Sequence, residues 1–294
     1  MKPPRFEYVR PDSEEEALAV LAEHGDDAKV LAGGQSLVPM LNMRLASPGV
    51  VVDVNRIPGL DAIAVDNGLV RVGALVRQAA FERSPVVLRR LPLAAECVPY
   101  IGHFVTRNRG TVGGSIAHAD AKAELPLALL ALGGAAVVRS ARAERAIPAE
   151  ELFVTHYTTS LEPDELLVET VWPDRGSGVA FEELALRAGD YALAMAACVL
   201  RAESGRVAEA RVAEARVAVA GPSDRPSVTA VGALLAGHEP TPELARAAGE
   251  AARSEVEPAD TIHASAAYQR HLVGLLVERA VSRAWRNALE GAER

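Results

Sequence analysis

Two glycine pairs constrain this chain more than any other feature. The first lies in "VLAGGQSLVPM", Val30 to Met40, where an apolar run stops at Gly33-Gly34 and goes on through Gln35 and Ser36. The second lies in "GTVGGSIAHAD", Gly110 to Asp120, with Gly113-Gly114 followed by Ser115. Glycine admits positive φ and lets the backbone come close to a neighbour or a ligand. An apolar run that breaks at such a pair reads as a short buried strand entering a turn. A single pair reads first as a tight turn. Two of them, each in a strand-to-turn context with a serine at hand, also fit an anion cradle. Consecutive free amides form a nest for anionic oxygens. A serine hydroxyl adds a donor suited to a phosphate oxygen or a ribityl hydroxyl. Two nests on two subdomains suit the two phosphates of one dinucleotide.

Around these pairs the chain reads as α+β in three parts. Residues 1–57 read as helix, strand, turn, strand. Asp12 or Ser13 caps the helix, Glu14, Glu15 and Glu16 face the positive end of its dipole, and Ala17, Leu18, Leu21 and Ala22 form its apolar face. "AKVLAGG" and "GVVVDVN" are the strands, and "LVPMLNMRLAS" between them is a short helix or an irregular turn. Residues 58–175 carry a hairpin signal at Asp66-Asn67-Gly68, helical pieces broken by prolines from Val76 to Gly102, an apolar helix after the second glycine pair, and a strand halted by Pro173. Residues 176–294 read as three strands, "VAFEELAL", "ALAMAACVLRAES" and "ARVAVAG", followed by two helices. Arg279, Arg283 and Arg286 lie near the end of the last helix, where cations suit the dipole. "RVAEARVAEARVAVA", Arg206 to Ala220, repeats a five-residue unit. An odd repeat reverses the faces of a strand, so a bulge or a longer arm is expected at a hairpin end.

Other readings are narrowed by what the chain carries. A net charge of −8 argues against a nucleic-acid partner, which would call for a basic stripe. Cys97 and Cys198 sit in apolar surroundings and read as buried, reduced thiols. Two cysteines cannot ligate an iron–sulfur cluster, which takes about four thiolates. "MKPPRFEYVRPDS" has no apolar signal-peptide core, and no apolar run reaches the ~18 residues of a membrane span, so a cytoplasmic protein is expected. HExxH, CxxC, GxSxG, GxGxxG and the Walker-type phosphate loop are all missing. His118 with Asp120 and Glu124 is one histidine with two acids, which does not define a metal site.

"VLAGGQSLVPMLNMRLASPGVVVDVNRIPGL", "RNRGTVGGSIAHADAKAELP" and "RAGDYALA" together resemble the FAD-binding medium subunit of the molybdenum hydroxylases. That family includes aerobic carbon monoxide dehydrogenase and relatives of xanthine dehydrogenase. The resemblance runs in order along essentially the whole chain. It implies the flavin fold shared with vanillyl-alcohol oxidase (PCMH type), in two subdomains at 1–57 and 58–175. A C-terminal domain of antiparallel sheet and helices follows at 176–294. By position it places Ala32, Gly33, Gly34, Gln35 and Ser36, with Leu37 beside them, on FAD, the pyrophosphate above all. Thr111, Val112, Gly113, Gly114 and Ser115 take the same role. Glu124 falls where an acid bonds FAD hydroxyls, and Ile101 where a side chain covers the flavin region. Tyr191 either flanks the isoalloxazine or fills a core. Gln35 stands where histidine is common, and Ala121-Lys122 replaces a proline-containing turn, which implies a looser loop after His118.

The resemblance also implies a division of labour. A large subunit oxidises the substrate at a molybdenum cofactor. A small subunit relays electrons through two 2Fe–2S clusters, and FAD on this chain passes them to an external acceptor. The assembly implied is a heterotrimer or its dimer. No catalytic residue of this chain is called for. Two alternatives stand beside this reading: a flavin-binding or assembly protein with no electron-transfer role, and a self-contained FAD oxidase with a base over the flavin.

Overall fold

The structure is a computed structural model and describes residues 2–176, 178–202 and 211–292. Three larger sheets follow one another along it, with a two-stranded one beside the second. The first is parallel, with β3 (Val50–Asp53) between β1 (Glu7–Val9) and β2 (Ala28–Leu31). The helix Glu14–His24 starts where Ser13 accepts a hydrogen bond from the Glu16 amide and stops at Gly25, whose φ is positive. Its buried Ala17, Leu18 and Leu21 pack on Val50 and Val52. "LVPMLNMRLAS" resolves as a short helix, Leu37–Asn42. The three-residue β1, exposed at two of its residues, has no sequence pattern to announce it.

The second sheet is antiparallel. It contains β4 (Ile63–Asp66), β5 (Leu69–Gly73), β6 (Ala135–Arg139) and β7 (Glu144–Pro148). After the small hairpin of β8 (Phe153–Thr155) and β9 (Thr158–Thr159), β10 (Leu166–Pro173) inserts between β5 and β6. Asn67 and Gly68 adopt φ of 49° and 80°, as the β4–β5 turn demands. Pro85 and Pro92 open the helices Pro85–Arg90 and Pro92–Cys97 at the first position, where a missing N–H costs nothing. Trp172 on β10 is fully buried, tilted against Phe81 with ring centroids 5.8 Å apart, and its Nε1 donates to Thr170 Oγ1 at 2.8 Å.

The third sheet is antiparallel in the order β11 (Val179–Ala185), β12 (Ala192–Ala202), β13 (Val212–Ala220), β14 (Ser227–Val228). The alanine-rich β12 is buried on both faces from Ala192 to Leu200. One face packs on the helix Ala266–Ala292, against which the helix Pro242–Glu255 lies in turn, and the other joins the core of the second sheet, including helix Glu124–Leu132. β14 and a short helix, Val231–Leu235, go beyond what the sequence pattern suggests. β13 takes in the second copy of the repeat from Val212 and all of the third. Its pairing with β12 shifts register between Arg201 and Ala202, and residues 203–210 lie outside the described part of the chain. Arg283 does not serve the end of its helix. It reaches Glu96 at 2.7 Å and Glu182 at 3.3 Å, tying that helix to the other two layers. Cys97 and Cys198 are buried and unbonded. Among the described residues no helix is long and apolar enough to cross a membrane.

Candidate functional site

The two glycine motifs meet in space. A Cβ on Gly33 would lie 2.5 Å from the Arg109 carbonyl oxygen and 2.8 Å from Gly110 Cα. A Cβ on Gly113 would lie 2.6 Å from Ala74 Cα. These glycines let backbone pack on backbone, and only then shape a cavity. Gly34 is different: its φ of 74° is the left-handed conformation that favours glycine. A strut that the sequence does not announce joins the two loops. Asn55 Nδ2 donates to the carbonyls of Ala32 (2.8 Å) and Leu31 (3.3 Å). Arg77 donates from Nη2 to Asn55 Oδ1 at 2.7 Å and from Nη1 to the Arg109 carbonyl at 2.5 Å. Neither residue stands in a recognisable motif, because the strut exists only once distant segments have folded together.

The two glycine pairs are not equivalent. Among the described residues, the amides from Gly33 to Leu37 donate to no protein acceptor. Ser36 caps the helix Leu37–Asn42 by position, yet its side chain makes no capping bond. The second pair opens the helix Val112–His118 instead of a strand-to-turn nest, and its amides are engaged. Val112 donates to the Val76 carbonyl at 2.9 Å, Gly113 to that of Ala74 at 3.0 Å and Ser115 to that of Thr111 at 3.1 Å. Gly114 donates to Thr111 Oγ1 at 3.0 Å. This motif therefore offers side-chain hydroxyls and shape, where the first offers a row of free N–H groups.

Both motifs face one cleft of about 660 Å³, in the size range of small-molecule sites. It collects Ala32, Gly33, Gly34, Gln35, Ser36, Leu37, Ile101, Thr111, Gly113, Gly114, Ser115, Glu124 and Tyr191. Val112 is the exception: its side chain is fully buried in the core, so it supports the motif from behind. Tyr191 is 65% exposed, which removes the reading as a core tyrosine. Its loop rests on the Ile101 loop, since a Cβ on Gly189 would lie 3.0 Å from the Gly102 carbonyl oxygen.

The turn after His118 is pinned, against the looser loop implied by Ala121-Lys122. Asp120, 4% exposed, accepts the Lys122 amide at 2.9 Å, and Gly221 donates to the Ala121 carbonyl at 3.0 Å. Tyr157 joins this cluster: its hydroxyl reaches Asp120 Oδ2 at 3.4 Å and its ring stacks on His118 at 4.8 Å. Tyr157 (φ 57°) is left-handed, and so is Ala119 (φ 50°), which ends the helix Val112–His118. Burial, helped by Asp120, pushes the Tyr157 phenol up to about 12. His118 is a stacking partner here, and burial pulls its imidazole below the usual value. Among the described residues no group of three or more histidine, cysteine and acidic side chains could hold a metal.

Glu124 is the first residue of the helix Glu124–Leu132, lines the cleft and is 8% exposed. Burial is the main cause that pushes its carboxyl up to about 7; Asp120 adds to it, while its own amide and Arg107 oppose it. A row of free amides, three hydroxyls, a buried acid and two tyrosine rings around one cleft can hold an anionic, hydroxyl-rich ligand with a planar ring.

Residues 4–175 match the family described as FAD binding domain in molybdopterin dehydrogenase, and residues 179–284 match the CO dehydrogenase flavoprotein C-terminal domain. The chain is 43% identical over 292 residues to subunit alpha of the 6-hydroxypseudooxynicotine dehydrogenase complex of Paenarthrobacter nicotinovorans, covering 98% of this chain and 97% of that one. It superimposes with a TM-score of 0.93 and 39% identity on a chain of the Hydrogenophaga pseudoflava carbon monoxide dehydrogenase that lacks the Mo-pyranopterin moiety, covering 98% and 99% of the two chains. Quinoline 2-oxidoreductase from Pseudomonas putida 86 gives a TM-score of 0.92 at 35% identity, covering 98% and 100%.

Proposed function

The chain belongs to the FAD-binding flavoprotein subunits of the molybdopterin dehydrogenases, and from that premise we propose that it holds FAD in the cleft and transfers electrons from a partner's 2Fe–2S clusters to an external acceptor. The single observation that carries the placement of FAD is the row of free amides from Gly33 to Leu37 at the cleft wall. FAD supplies the electron chemistry when bound, and the chain supplies position, polarity and shielding. In this reading the amides and the Ser36 hydroxyl hold the pyrophosphate. Thr111 and Ser115 add hydroxyls, Gly113 and Gly114 give the second wall its shape, and Val112 anchors it. Glu124 accepts from cofactor hydroxyls. Ile101 and Tyr191 flank the isoalloxazine from two touching loops. Ser36→Ala then removes one hydroxyl donor, worth about 1 kcal/mol, and should weaken FAD about fivefold in a fluorescence-quenching titration.

The same reading assigns the PCMH-type flavin fold to residues 1–57 and 58–175, a C-terminal domain to 176–294, and a cytoplasmic location. Partners are a large molybdopterin-binding subunit and a small iron–sulfur subunit, in a heterotrimer or its dimer. Two points support it: relatives are named as subunits of complexes, and both cysteines here are buried away from the cleft lining. Anaerobic titration tests the division of labour. The FAD-loaded chain alone should keep its oxidised flavin spectrum with aldehydes, purines or carbon monoxide, and should be bleached once the partner subunits are added. Bleaching of the chain alone by any organic substrate would make it a self-contained oxidase. No bleaching with partners present would leave it a binding or assembly protein.

A further inference from the structure

Ala32, Gly33, Gly34 and Gln35 line both the cleft and a second cavity of about 330 Å³. A loop that borders two open spaces is held less by packing than by its polar contacts. Those contacts lead to the carboxyl end of the parallel sheet. Asp53 closes β3 in register with Leu31, which closes β2. Its Oδ1 accepts from the Asn55 amide at 3.0 Å and from Asn55 Nδ2 at 2.6 Å. Its Oδ2 accepts from the Tyr8 hydroxyl, which gives the short β1 a link to the site. Asn55 is therefore held from both ends of its carboxamide. Arg77 donates to its Oδ1 at 2.7 Å, and Asp53 accepts from its Nδ2. Both contacts demand one orientation, since turning the carboxamide over would set oxygen against Asp53 and nitrogen against Arg77. In that orientation Nδ2 reaches the Ala32 carbonyl at 2.8 Å. A trans peptide points its C=O and N–H in opposite directions. Fixing the Ala32 carbonyl on Asn55 thus turns the Gly33 amide, the first of the free row, away from Asn55.

We propose that Asp53 is a positioning residue of the cofactor site: it fixes the orientation of the Asn55 carboxamide, and through it the direction of the Gly33 amide. The inference rests on the FAD reading of the cleft. Asp53 lines the second cavity and not the cleft, so its effect on FAD runs through Asn55. Without the carboxylate Asn55 can turn over, the Ala32 carbonyl loses its donor, and the peptide between Ala32 and Gly33 is free to rotate. Asparagine at position 53 is the conservative replacement. Its Oδ1 still accepts from Asn55, and its Nδ2 can donate to the Tyr8 hydroxyl oxygen.

The test is an FAD quenching titration of the full chain and its variants. Asp53→Ala should weaken FAD about tenfold, and Asp53→Asn should stay within about threefold of wild type. Asn55→Ala should lose at least as much as Asp53→Ala. Adding Asp53→Ala to it should then cost less than about twofold more, because the two residues act through one contact. A loss below about twofold in Asp53→Ala, an equal loss in Asp53→Asn, or full additivity in the double variant overturns the proposal. A second measurement needs no FAD. In NMR spectra of the chain labelled with 15N-asparagine, the side-chain NH2 pair that disappears in Asn55→Ala should exchange slowly with water in wild type. Exchange should be about tenfold faster or more in Asp53→Ala and near wild type in Asp53→Asn. Equal exchange in wild type and Asp53→Ala also overturns the proposal. Failure of wild type to bind FAD would instead contradict the placement of the cofactor, and the asparagine signals would still decide whether Asp53 holds Asn55.

Discussion

Replacing Gly33 by valine is expected to abolish measurable FAD binding, at least 100-fold, in a chain that still folds. The added Cβ would lie 2.5 Å from the Arg109 carbonyl oxygen and 2.8 Å from Gly110 Cα, and both are backbone. Neither can give way cheaply. Arg77 holds the Arg109 carbonyl at 2.5 Å, and Gln78 donates its amide to the Gly110 carbonyl at 2.9 Å. The first loop must therefore move, and the free amides move with it. Such overpacking costs ~1–3 kcal/mol by itself. Hydrogen bonds to a charged group are worth ~1.5–3 kcal/mol each, so losing two of them takes affinity down by ~100-fold or more. Gly34 should behave differently. A Cβ there meets only the side-chain tips of Leu31 and Val38 at 3.2 Å, so the main penalty is its left-handed φ, ~1–2 kcal/mol. Gly34→Ala should thus weaken FAD about tenfold. Flavin absorbance after desalting, together with an FAD quenching titration, separates the two. Equal losses at both positions would mean that the contact between the loops is not what holds the amides in place.

That contrast shows where local reading reaches its limit. The helix capped by Ser13, the Asn67-Gly68 hairpin and the proline-led helices are settled by neighbours in sequence, and they fold as their patterns suggest. The glycine pairs look alike in one dimension because only their composition is visible there. Thr111 ahead of a run of small and apolar residues is a helix-capping signal, and it could have shown that the Gly114 amide would be engaged. Arg77 and Asn55 offer no such signal, since what they join lies about 20 to 30 residues away in the chain. Tyr157 and Asp120 are likewise brought together from separate loops. The site's members could be named from motifs, but which of them bind and which brace depends on contacts between segments.

The largest loss of stability at this site is expected from Arg107→Ala. The side chain is only 12% exposed, and its guanidinium acts as a staple. Nε and Nη2 donate to the two oxygens of Glu82 at 3.0 and 3.4 Å, while Nη1 donates to the Ile101 carbonyl at 3.0 Å. It thereby fastens the loop that carries Ile101 to the helix Gln78–Arg83. Truncation leaves Glu82 partly buried without its counter-charge and a loop carbonyl without its donor. Breaking such a pair costs ~3 kcal/mol, and for a chain of this size about 6 °C in Tm. Lysine should restore little, because a single ammonium cannot reach Glu82 and the Ile101 carbonyl in the geometry of the fork. A second consequence distinguishes this residue from an ordinary brace. Arg107 is the cation that favours the ionised form of Glu124. Without it Glu124 should hold its proton to higher pH, so the fall in FAD binding that follows protonation of this acceptor should begin at higher pH. Affinity in Arg107→Ala should then fall more at pH 7 than at pH 8. A uniform loss at both would confine Arg107 to holding the loop, and a Tm within 1 °C of wild type would mean that the loop is held by its own packing.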